Sequence, residues 1–526
     1  MSRLILLIAA AAFLQSPVAS AATCDALSSL TLPNARITSA APVAAGAFTP
    51  LPASPPASAS PAPATVAAPA VPSRYAALPA FCRVSATLTP SADSDIRIEV
   101  WLPEPSNWNG KFEAVGNGGW AGSIVYTALA EAVAAGYATV NTDTGHVGGS
   151  ASFALGHPEK VTDMAYRAVH EMTVQAKAII KAYYGNAPRL SFWNGCSLGG
   201  RQGITEALRY PADFDAIVAG APAVNWMELH VGRMALNLNA NKTPDAVIPA
   251  SKYPLIHDAA LMACDARDGV TDGVIENPLS CRFDPAVLTC KAGQDQASCL
   301  TAAQVSSAKA LYASVKNPLT GETLVPGLEP GSELGFGVIG GVVPLSTALE
   351  AEKFIIHKDA TWDFHTATVA GDLEAARRAD PGDALASSST NLKPFFERGG
   401  KLLMYHGWQD PQVPPENSVN YYSKVVMSAG KGLEGRQIAL YMVPGMNHCS
   451  GGPGPDVFDK MGAIEAWVAT GKAPESIPAL HRANGVVERT RPLCQYPKVA
   501  KWRGAGSTDA ATNFSCVVDA APRSTR

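Results

Sequence analysis

The sequence lacks an excess of basic charge, and after its first residues it lacks any long apolar run. Of its 526 residues, 41 are Lys or Arg and 45 are Asp or Glu, which gives a net charge of -4. Surfaces that bind nucleic acid or an anionic membrane carry a basic excess, and a membrane-spanning helix needs about 20 apolar residues. We therefore expect a protein that neither binds nucleic acid nor stays in a membrane.

The apolar run at the N-terminus is short. Met1, Ser2 and Arg3 are followed by apolar residues 4–14, and the small residues 18–21 read Val-Ala-Ser-Ala. A charged start, a short apolar stretch and a small-residue cleavage site are typical of a signal peptide, here residues 1–21. The mature protein is therefore predicted to be secreted or periplasmic.

The sequence also lacks a Cys-x-x-Cys pair, although it contains ten cysteines. Scattered cysteines argue against a metal cluster, which is usually held by closely spaced pairs. Exported proteins keep disulfides because their compartments are oxidising. We therefore predict disulfides among Cys24, Cys82, Cys196, Cys264, Cys281, Cys290, Cys299, Cys449, Cys494 and Cys516.

The chain is 47% hydrophobic and long enough to bury a large core. From residue 96 onward, apolar strand-like runs alternate with helical periodicity, which is typical of an α/β fold with a largely parallel sheet. The predicted strands are residues 96–102, 111–115, 137–141, 190–194, 216–218, 401–405 and 438–443. Helices are predicted around residues 163–184 and 201–210.

Two segments interrupt this alternation. Residues 40–73 are almost entirely Ala, Pro, Ser, Val and Gly, a composition that cannot bury a core and indicates a loop or an extended excursion. Residues 225–388 hold four cysteines, an acidic loop and irregular Gly/Pro segments, and are predicted to be an inserted lid domain. The α/β domain is accordingly predicted in two parts, residues 22–224 and 389–526.

A Gly-x-Ser-x-Gly motif lies between a predicted strand and the helix after it, at Gly195, Ser197 and Gly199. At such a junction the serine is held in a strained turn where neighbouring side chains would collide, so this setting is typical of a catalytic nucleophile. The helix start supplies N–H groups for a developing oxyanion. The alternative is an ordinary turn, because a chain with 45 glycines can contain so short a motif by chance.

The acid and base that serve such a serine follow it in the chain, each after a strand. Asp410 follows predicted strand 401–405, and His448 follows strand 438–443. The histidines before Ser197, those in the insertion, and His406, which precedes Asp410, do not fit this order. His481 lies in a polar stretch with no strand before it, so Asp410 and His448 are the predicted acid and base.

Cysteines adjoin two of the predicted catalytic residues, because Cys196 precedes Ser197 and Cys449 follows His448. A disulfide between them would hold their Cα atoms about 5.5 Å apart and bring serine and histidine within reach of proton transfer. The alternative is that these cysteines have unrelated positions. Oxyanion donors are expected from the N–H of Leu198 and from the glycine-rich turn 115–120, for which an ordinary loop is the alternative.

Residues 264–274 form an acidic loop that reads Cys-Asp-Ala-Arg-Asp-Gly-Val-Thr-Asp-Gly-Val. Three aspartates and backbone carbonyls suit a hard cation such as Ca²⁺. The spacing departs from that of an EF-hand, so a plain acidic turn is an equal alternative on these residues alone.

These motifs together resemble the tannase and feruloyl esterase family, which also includes the bacterial hydrolase of mono(2-hydroxyethyl) terephthalate. The resemblance runs from about Cys24 to Cys516 and is sharpest in residues 195–200, 405–410 and 444–452. It implies an α/β-hydrolase sheet with a lid domain that contributes the substrate pocket, and hydrolysis of carboxylic esters. No organic cofactor is expected.

The resemblance also implies specific contacts. It implies a disulfide between Cys196 and Cys449 beside the catalytic residues, and further bridges Cys24 to Cys82, Cys264 to Cys281, Cys290 to Cys299 and Cys494 to Cys516. It places Gly119 with Leu198 in the oxyanion hole. It implies a structural calcium ion held by Asp265, Asp268, Asp272 and the carbonyls of Val270 and Val274.

Three functions are compatible with these residues. The first is hydrolysis of aromatic esters, such as feruloyl or galloyl esters of plant material, which the context of Trp408 to Pro411 resembles most. The second is the same chemistry on a terephthalate monoester. The third is a catalytically silent binding module on a hydrolase scaffold, against which the intact set of Ser197, Asp410 and His448 argues.

Overall fold

The computed structural model of the chain describes residues 21–50, 75–430 and 432–519. The predicted signal peptide lies outside these residues except for Ala21, and so does the part of the predicted loop from residue 51 to residue 73. Among the helices in these ranges, none has the length and hydropathy that crossing a bilayer requires.

A large mixed sheet organises the fold and, over the described residues, contains nine strands in the order β1-β2-β3-β5-β4-β6-β7-β10-β11. These strands are β1 (Ala35–Val43), β2 (Phe81–Leu88), β3 (Ile96–Pro103), β4 (Lys111–Val115), β5 (Ala138–Thr142), β6 (Leu190–Cys196), β7 (Ala216–Gly220), β10 (Lys401–Gly407) and β11 (Ile438–Val443), while β8 (Val315–Lys316) and β9 (Thr323–Val325) form a separate hairpin. The pairs from β5 to β11 are parallel, whereas β1, β2 and β3 pair antiparallel at one edge. The predicted α/β class is therefore confirmed, with a sheet that is mixed.

All seven predicted strands are present, with ends displaced by at most two residues. The loop prediction is wrong for residues 40–43, because β1 extends to Val43, which pairs with Phe81 of β2. Most side chains of β1 are at least partly exposed. An edge strand held by backbone hydrogen bonds does not need the apolar alternation by which strands are recognised in a sequence.

Helices cover both faces of the sheet. Those described are α1 (Tyr126–Ala134), α2 (Pro158–Thr162), α3 (Ala168–Tyr184), α4 (Leu198–Arg209), α5 (Trp226–Ala240), α6 (Tyr253–Cys264), α7 (Ala302–Tyr312), α8 (Gly337–Gly340), α9 (Ser346–Glu350), α10 (Val369–Ala379), α11 (Lys393–Glu397), α12 (Glu416–Ala429) and α13 (Lys460–Thr470), with π-helical turns at Asp163–Arg167 and Ala351–Ile356. Helices α3, α4 and α12 bury their apolar side chains on one face, and α1 and α13 on the other. Alternate residues of β10 enter the two cores, with Leu402 and Met404 on one side and Leu403 and Tyr405 on the other.

The predicted insertion, residues 225–388, lies between β7 and β10, which are neighbours in the sheet. It is more helical than its sequence indicates. Helix α5 is buried around most of its circumference, and a helix buried on all sides lacks the one-sided apolar pattern that identifies a surface helix. The apolar core of the insertion also includes Trp120, Leu198 and Val413, so the insertion packs over the edge of the sheet that carries Ser197.

The C-terminal residues form two small antiparallel sheets, made of β12 (Val457–Phe458), β13 (Ser476–Ala483) and β14 (Val486–Cys494), and of β15 (Lys498–Trp502) and β16 (Phe514–Val518). His481, which the sequence analysis places in a polar stretch, lies inside β13. The hairpin of β13 and β14 buries only part of each face, so many of its side chains are polar. These strands therefore lack the apolar pattern by which strands are predicted from a sequence.

All ten cysteines lie within the described ranges and form five disulfides. The bridges join Cys24 to Cys82, Cys196 to Cys449, Cys264 to Cys281, Cys290 to Cys299 and Cys494 to Cys516. Their Cα atoms lie between 4.9 and 6.0 Å apart, within the range of unstrained disulfides. These five pairings are the ones that the family resemblance implies.

Candidate active site

Ser197 occupies a sharp turn between β6 and α4, with φ of 62° and ψ of -120°. A positive φ is costly for a residue that has a Cβ, so the surrounding packing must impose it. A Cβ on Gly195 would lie 2.5 Å from the carbonyl oxygen of Gly199, and one on Gly199 would lie 3.1 Å from that of Asn117. The two glycines thus allow the close approach that this nucleophile-type turn requires.

Asp410 and His448 follow β10 and β11, which are parallel neighbours, so both residues emerge at the same edge of the sheet. His448 Nδ1 donates a hydrogen bond of 2.6 Å to Asp410 Oδ2. The disulfide between Cys196 and Cys449 brings their Cα atoms to 6.0 Å. Ser197 and His448 consequently line the same cavity although 250 residues separate them in the chain.

Asp410 is fully buried and accepts hydrogen bonds at both carboxylate oxygens. Oδ1 accepts from the backbone N–H groups of Gln412 and Val413, at 2.7 and 3.0 Å. Burial by itself raises the pKa of Asp410, but the charge of His448 and the hydrogen bonds from His406 and His448 outweigh burial and hold this pKa well below its usual range. Asp410 is therefore an anion positioned to orient the imidazole of His448.

His406 is a second histidine on Asp410 that the sequence analysis set aside. Its Nε2 lies 2.9 Å from Asp410 Oδ2 and 3.0 Å from the carbonyl oxygen of Val413. Because a carbonyl only accepts, Nε2 carries a proton, and Nδ1 forms a hydrogen bond of 2.7 Å with Ser418 Oγ. The spacing of four residues between His406 and Asp410, both at the end of one strand, was the signal available in the sequence.

The glycine-rich turn after β4 is fixed to α4 by two reciprocal side-chain contacts. The backbone N–H of Asn117 donates to Gln202 Oε1 at 3.0 Å, and Gln202 Nε2 donates to Asn117 Oδ1 at 3.1 Å. The N–H of Gly199 donates to the carbonyl of Asn117 at 2.8 Å. This arrangement holds the turn against the start of α4, where Gly119 and Leu198 border the cavity. Gln202 is not among the site residues predicted from the sequence.

The cavity beside Ser197 has a volume of about 230 Å³. It is lined by Gly118, Gly119, Cys196, Ser197, Leu198, Ala223, Trp226, His230, Arg233, Thr347, Gln412, His448 and Cys449. Four of these residues, Trp226, His230, Arg233 and Thr347, belong to the insertion. The insertion therefore forms one wall of the cavity.

His230 is a buried wall residue with unsatisfied polar atoms. Among the described residues, neither of its ring nitrogens has a hydrogen-bond partner. Burial and the nearby charges of Arg233 and Arg201 hold the pKa of His230 well below its usual range, so the ring is neutral. It stacks on Trp120 with 5.7 Å between ring centroids. A neutral imidazole at this wall offers a donor and an acceptor to a bound molecule.

Arg201 contacts Trp226, a residue of the same wall, and does not itself line the cavity. Its guanidinium lies 4.5 Å from the ring centroid of Trp226 and donates to the carbonyl of Leu385 at 2.9 Å. Complete burial lowers the pKa of Arg201 to about 9, which still leaves the group charged at neutral pH. The hydrogen bond to Leu385 holds Arg201 in place, and the cation-π contact in turn fixes the position of Trp226.

The acidic loop brings Asp265, Asp268 and Asp272 together, and each accepts a backbone hydrogen bond from within the loop. Burial and the neighbouring carboxylates raise the pKa of Asp265, and raise that of Asp268 to about 6. Arg489 and Arg491 contact Asp272 and offset part of the negative charge. Carboxylate and carbonyl oxygens of this kind are the donors that a hard cation such as Ca²⁺ prefers.

Known proteins match this chain over most of its length. A sequence family described as "Tannase and feruloyl esterase" matches residues 82–517. An esterase of Xanthomonas campestris pv. campestris is 39% identical, over 98% of this chain and 96% of that protein. The crystal structure of feruloyl esterase B from Aspergillus oryzae is 31% identical with a TM-score of 0.83, and the alignment covers 94% of this chain and 99% of that one. A tannin acyl hydrolase from Aspergillus niger, 21% identical with a TM-score of 0.75 over 93% and 92% of the two chains, shares the fold.

Proposed function

Because the chain belongs to the tannase and feruloyl esterase family, whose members are carboxylic ester hydrolases, we propose that it hydrolyses aromatic esters of the feruloyl or galloyl type. Ser197 is the nucleophile, His448 the general base and Asp410 the carboxylate that orients His448. The observation that supports this assignment most is the Cys196 to Cys449 disulfide, which joins the neighbours of Ser197 and His448 at one cavity.

The proposed reaction has two steps. Ser197 Oγ attacks the ester carbonyl carbon while His448 Nε2 accepts its proton, and His448 then gives this proton to the departing alcohol. Water, activated by the same imidazole, hydrolyses the acyl-enzyme and restores Ser197. Asp410 fixes the imidazole with its proton on Nδ1 and stabilises its charged form. The N–H groups of Leu198 and Gly119 stabilise the oxyanion of each tetrahedral intermediate.

The cavity wall supports an aromatic acyl group. Trp226, held by Arg201, borders the cavity and can contact an aromatic ring, and the unpaired nitrogens of His230 offer partners for a phenolic hydroxyl. We propose that the insertion acts as the lid domain that supplies this wall. Arg233 borders the same cavity and would suit the free carboxylate of a terephthalate monoester, which keeps that substrate as the second candidate.

A substrate panel distinguishes the two candidates. We expect kcat/KM for methyl ferulate and methyl gallate to exceed that for a terephthalate monoester by about tenfold or more, since a site built for a hydroxyl rejects analogues that lack it. In the His230→Phe variant, kcat/KM for these phenolic esters should fall. The kcat/KM for methyl cinnamate, which lacks a phenolic hydroxyl, should be unchanged. The phenolic assignment would be contradicted if the wild type had a higher kcat/KM for the monoester and the Arg233→Gln variant lost this preference.

We propose that His406 is a positioning residue that acts through Asp410. Replacing His406 by Gln should lower kcat about tenfold and change KM little, because one hydrogen bond to the charged carboxylate is weakened. Steady-state kinetics across pH would measure this, and the acidic limb of the profile should shift. Asn417→Ala, next to the His406 partner Ser418, serves as the control for general loosening of this segment. A kcat in His406→Gln equal to the wild-type value would remove His406 from the mechanism.

We also propose that the acidic loop binds structural Ca²⁺ through Asp265, Asp268 and Asp272 and the carbonyls of Val270 and Val274. If free Ca²⁺ stands at about 100 times its Kd, removing it lowers the free energy of unfolding by about 2.7 kcal/mol. A calcium-selective chelator should therefore lower the Tm, and added Ca²⁺ should restore it. The Asp268→Asn variant should lose this response. An unchanged Tm in the wild type would contradict calcium binding at the loop.

The proposed place of action is the periplasm or the exterior of the cell, after removal of residues 1–21. Five disulfides among the described residues support this, since oxidising compartments preserve them. Mass spectrometry of the exported protein should give an N-terminus near residue 22. Retention of residues 1–21 would argue against the proposed signal peptide.

A further inference from the structure

Two carboxylates and one imidazole converge inside the insertion. Glu352 and His357 lie in and just after the π-helical turn Ala351–Ile356, and Asp372 lies in α10. His357 Nε2 lies 3.1 Å from Asp372 Oδ1 and 3.4 Å from Glu352 Oε2. One potential ligand atom from each of the three lies within 4.8 Å of the other two.

The backbone explains why these side chains meet. The N–H of His357 donates to the carbonyl of Glu352 at 2.8 Å, an i to i+5 bond. In an α-helix, residues three and four apart share a face, whereas the wider π turn brings residues five apart to the same side. Asp372 Oδ2 accepts from the N–H of Thr368 at 2.8 Å, which leaves Oδ1 directed at His357. The cluster is therefore fixed by local structure on both segments.

Glu352 lacks the partners that a buried carboxylate needs. Its side chain is 0% exposed, and among the described residues neither carboxylate oxygen has a hydrogen-bond partner. The 3.4 Å contact with His357 lies within ion-pair reach, although its geometry is not that of a hydrogen bond. Buried polar groups normally have a hydrogen-bond partner. A bound cation would supply the partner that the Glu352 carboxylate lacks.

We propose that Glu352, His357 and Asp372 bind a divalent transition-metal ion of the Zn²⁺ type. Tetrahedral Zn²⁺ with ligands at about 2.0–2.2 Å places the ligand atoms roughly 3.3–3.6 Å apart, close to the two separations around His357 Nε2. A mixed set of one imidazole and two carboxylates suits Zn²⁺ or Mn²⁺ better than a soft ion. The imidazole is oriented by Trp362, on which it stacks with 4.7 Å between centroids.

The ion would link one segment of the cavity wall to the neighbouring helix α10. Thr347, which borders the cavity of Ser197, lies in α9, and α9 continues directly into the π-helical turn that carries Glu352. Helix α10, which carries Asp372, packs against this turn and against α5. The metal therefore braces the wall without entering the reaction, and the site stands independently of the esterase proposal.

Zinc retention by the full chain tests the site. The protein is stripped with a chelator, returned to buffer with excess Ca²⁺ to keep the acidic loop out of the measurement, mixed with ZnCl₂ and gel-filtered. We expect the wild type to retain one Zn²⁺ per chain and to gain Tm. Titration calorimetry should show at least about 100-fold weaker zinc binding in Glu352→Gln and Asp372→Asn, which keep side-chain size but lose a ligand.

The matched control is His365→Ala, which removes an exposed histidine paired with Asp363 in the same region. It should retain zinc as the wild type does. The metal-free Tm of each variant reports folding, and His357→Gln supplies a third variant if one amide variant is unstable. Three outcomes would each overturn the proposal. The wild type binds no zinc, the amide variants bind zinc as tightly as the wild type, or zinc is lost only in His365→Ala.

Discussion

Replacing Ser197 by alanine is expected to lower kcat/KM for methyl ferulate by about four to six orders of magnitude. The variant loses the atom that forms the acyl-enzyme, and the remaining oxyanion donors support only a slow attack by water. The turn itself should persist, because Gly195 and Gly199 provide its close contacts. Initial rates of wild type and variant on the same ester measure the effect, and binding of the product ferulate should be retained.

Ser191→Ala provides the control for this substitution, since Ser191 lies in the same strand, β6, six residues before the nucleophile. Its kcat/KM should equal that of the wild type. Hydrolysis that survives unchanged in Ser197→Ala would exclude the proposed mechanism. A wild type that binds ferulate but hydrolyses none of the esters would instead support a silent binding module.

The strands and the candidate catalytic residues were predictable because their signals are local or follow from chain order. Parallel strands buried on both faces form continuous apolar runs, as in Ile438–Val443. Asp410 and His448 were found because they directly follow such runs. The disulfide added a long-range constraint that the neighbouring positions of Cys196 and Cys449 already indicated.

Other parts of the site arise only when distant segments pack together. Gln202 gains its role from Asn117, 85 positions earlier, and His230 becomes a wall residue because α5 is buried over the sheet edge. His406 was discarded as a base on chain order, a criterion that does not detect a residue acting on the acid. Glu352 and His357 share a face because of a π turn, a spacing absent from the helical periods used to read sequences.

Removing the Cys196 to Cys449 disulfide by substituting both cysteines with alanine is expected to impair stability and activity together. The bridge closes 253 residues of chain, and the chain-entropy model gives about 5.5 kcal/mol of stabilisation for a loop of that length. It also holds the residues next to Ser197 and His448, and a displacement of about 1 Å between reacting groups costs about 100-fold in rate. Denaturant unfolding and kcat/KM for methyl ferulate would measure the two effects.

A disulfide far from the catalytic residues separates the effect on stability from the effect on activity, because it has the same kind of bond at a different position. Removing Cys290 to Cys299, which closes only 9 residues, should cost about 2.5 kcal/mol of stability and leave kcat/KM unchanged at temperatures where the variant is folded. If the Cys196 and Cys449 variant, measured where it is folded, keeps the wild-type kcat/KM, the bridge only stabilises the fold. The approach of Ser197 to His448 would then be set by β6, β11 and their packing, and the disulfide would no longer support the catalytic assignment.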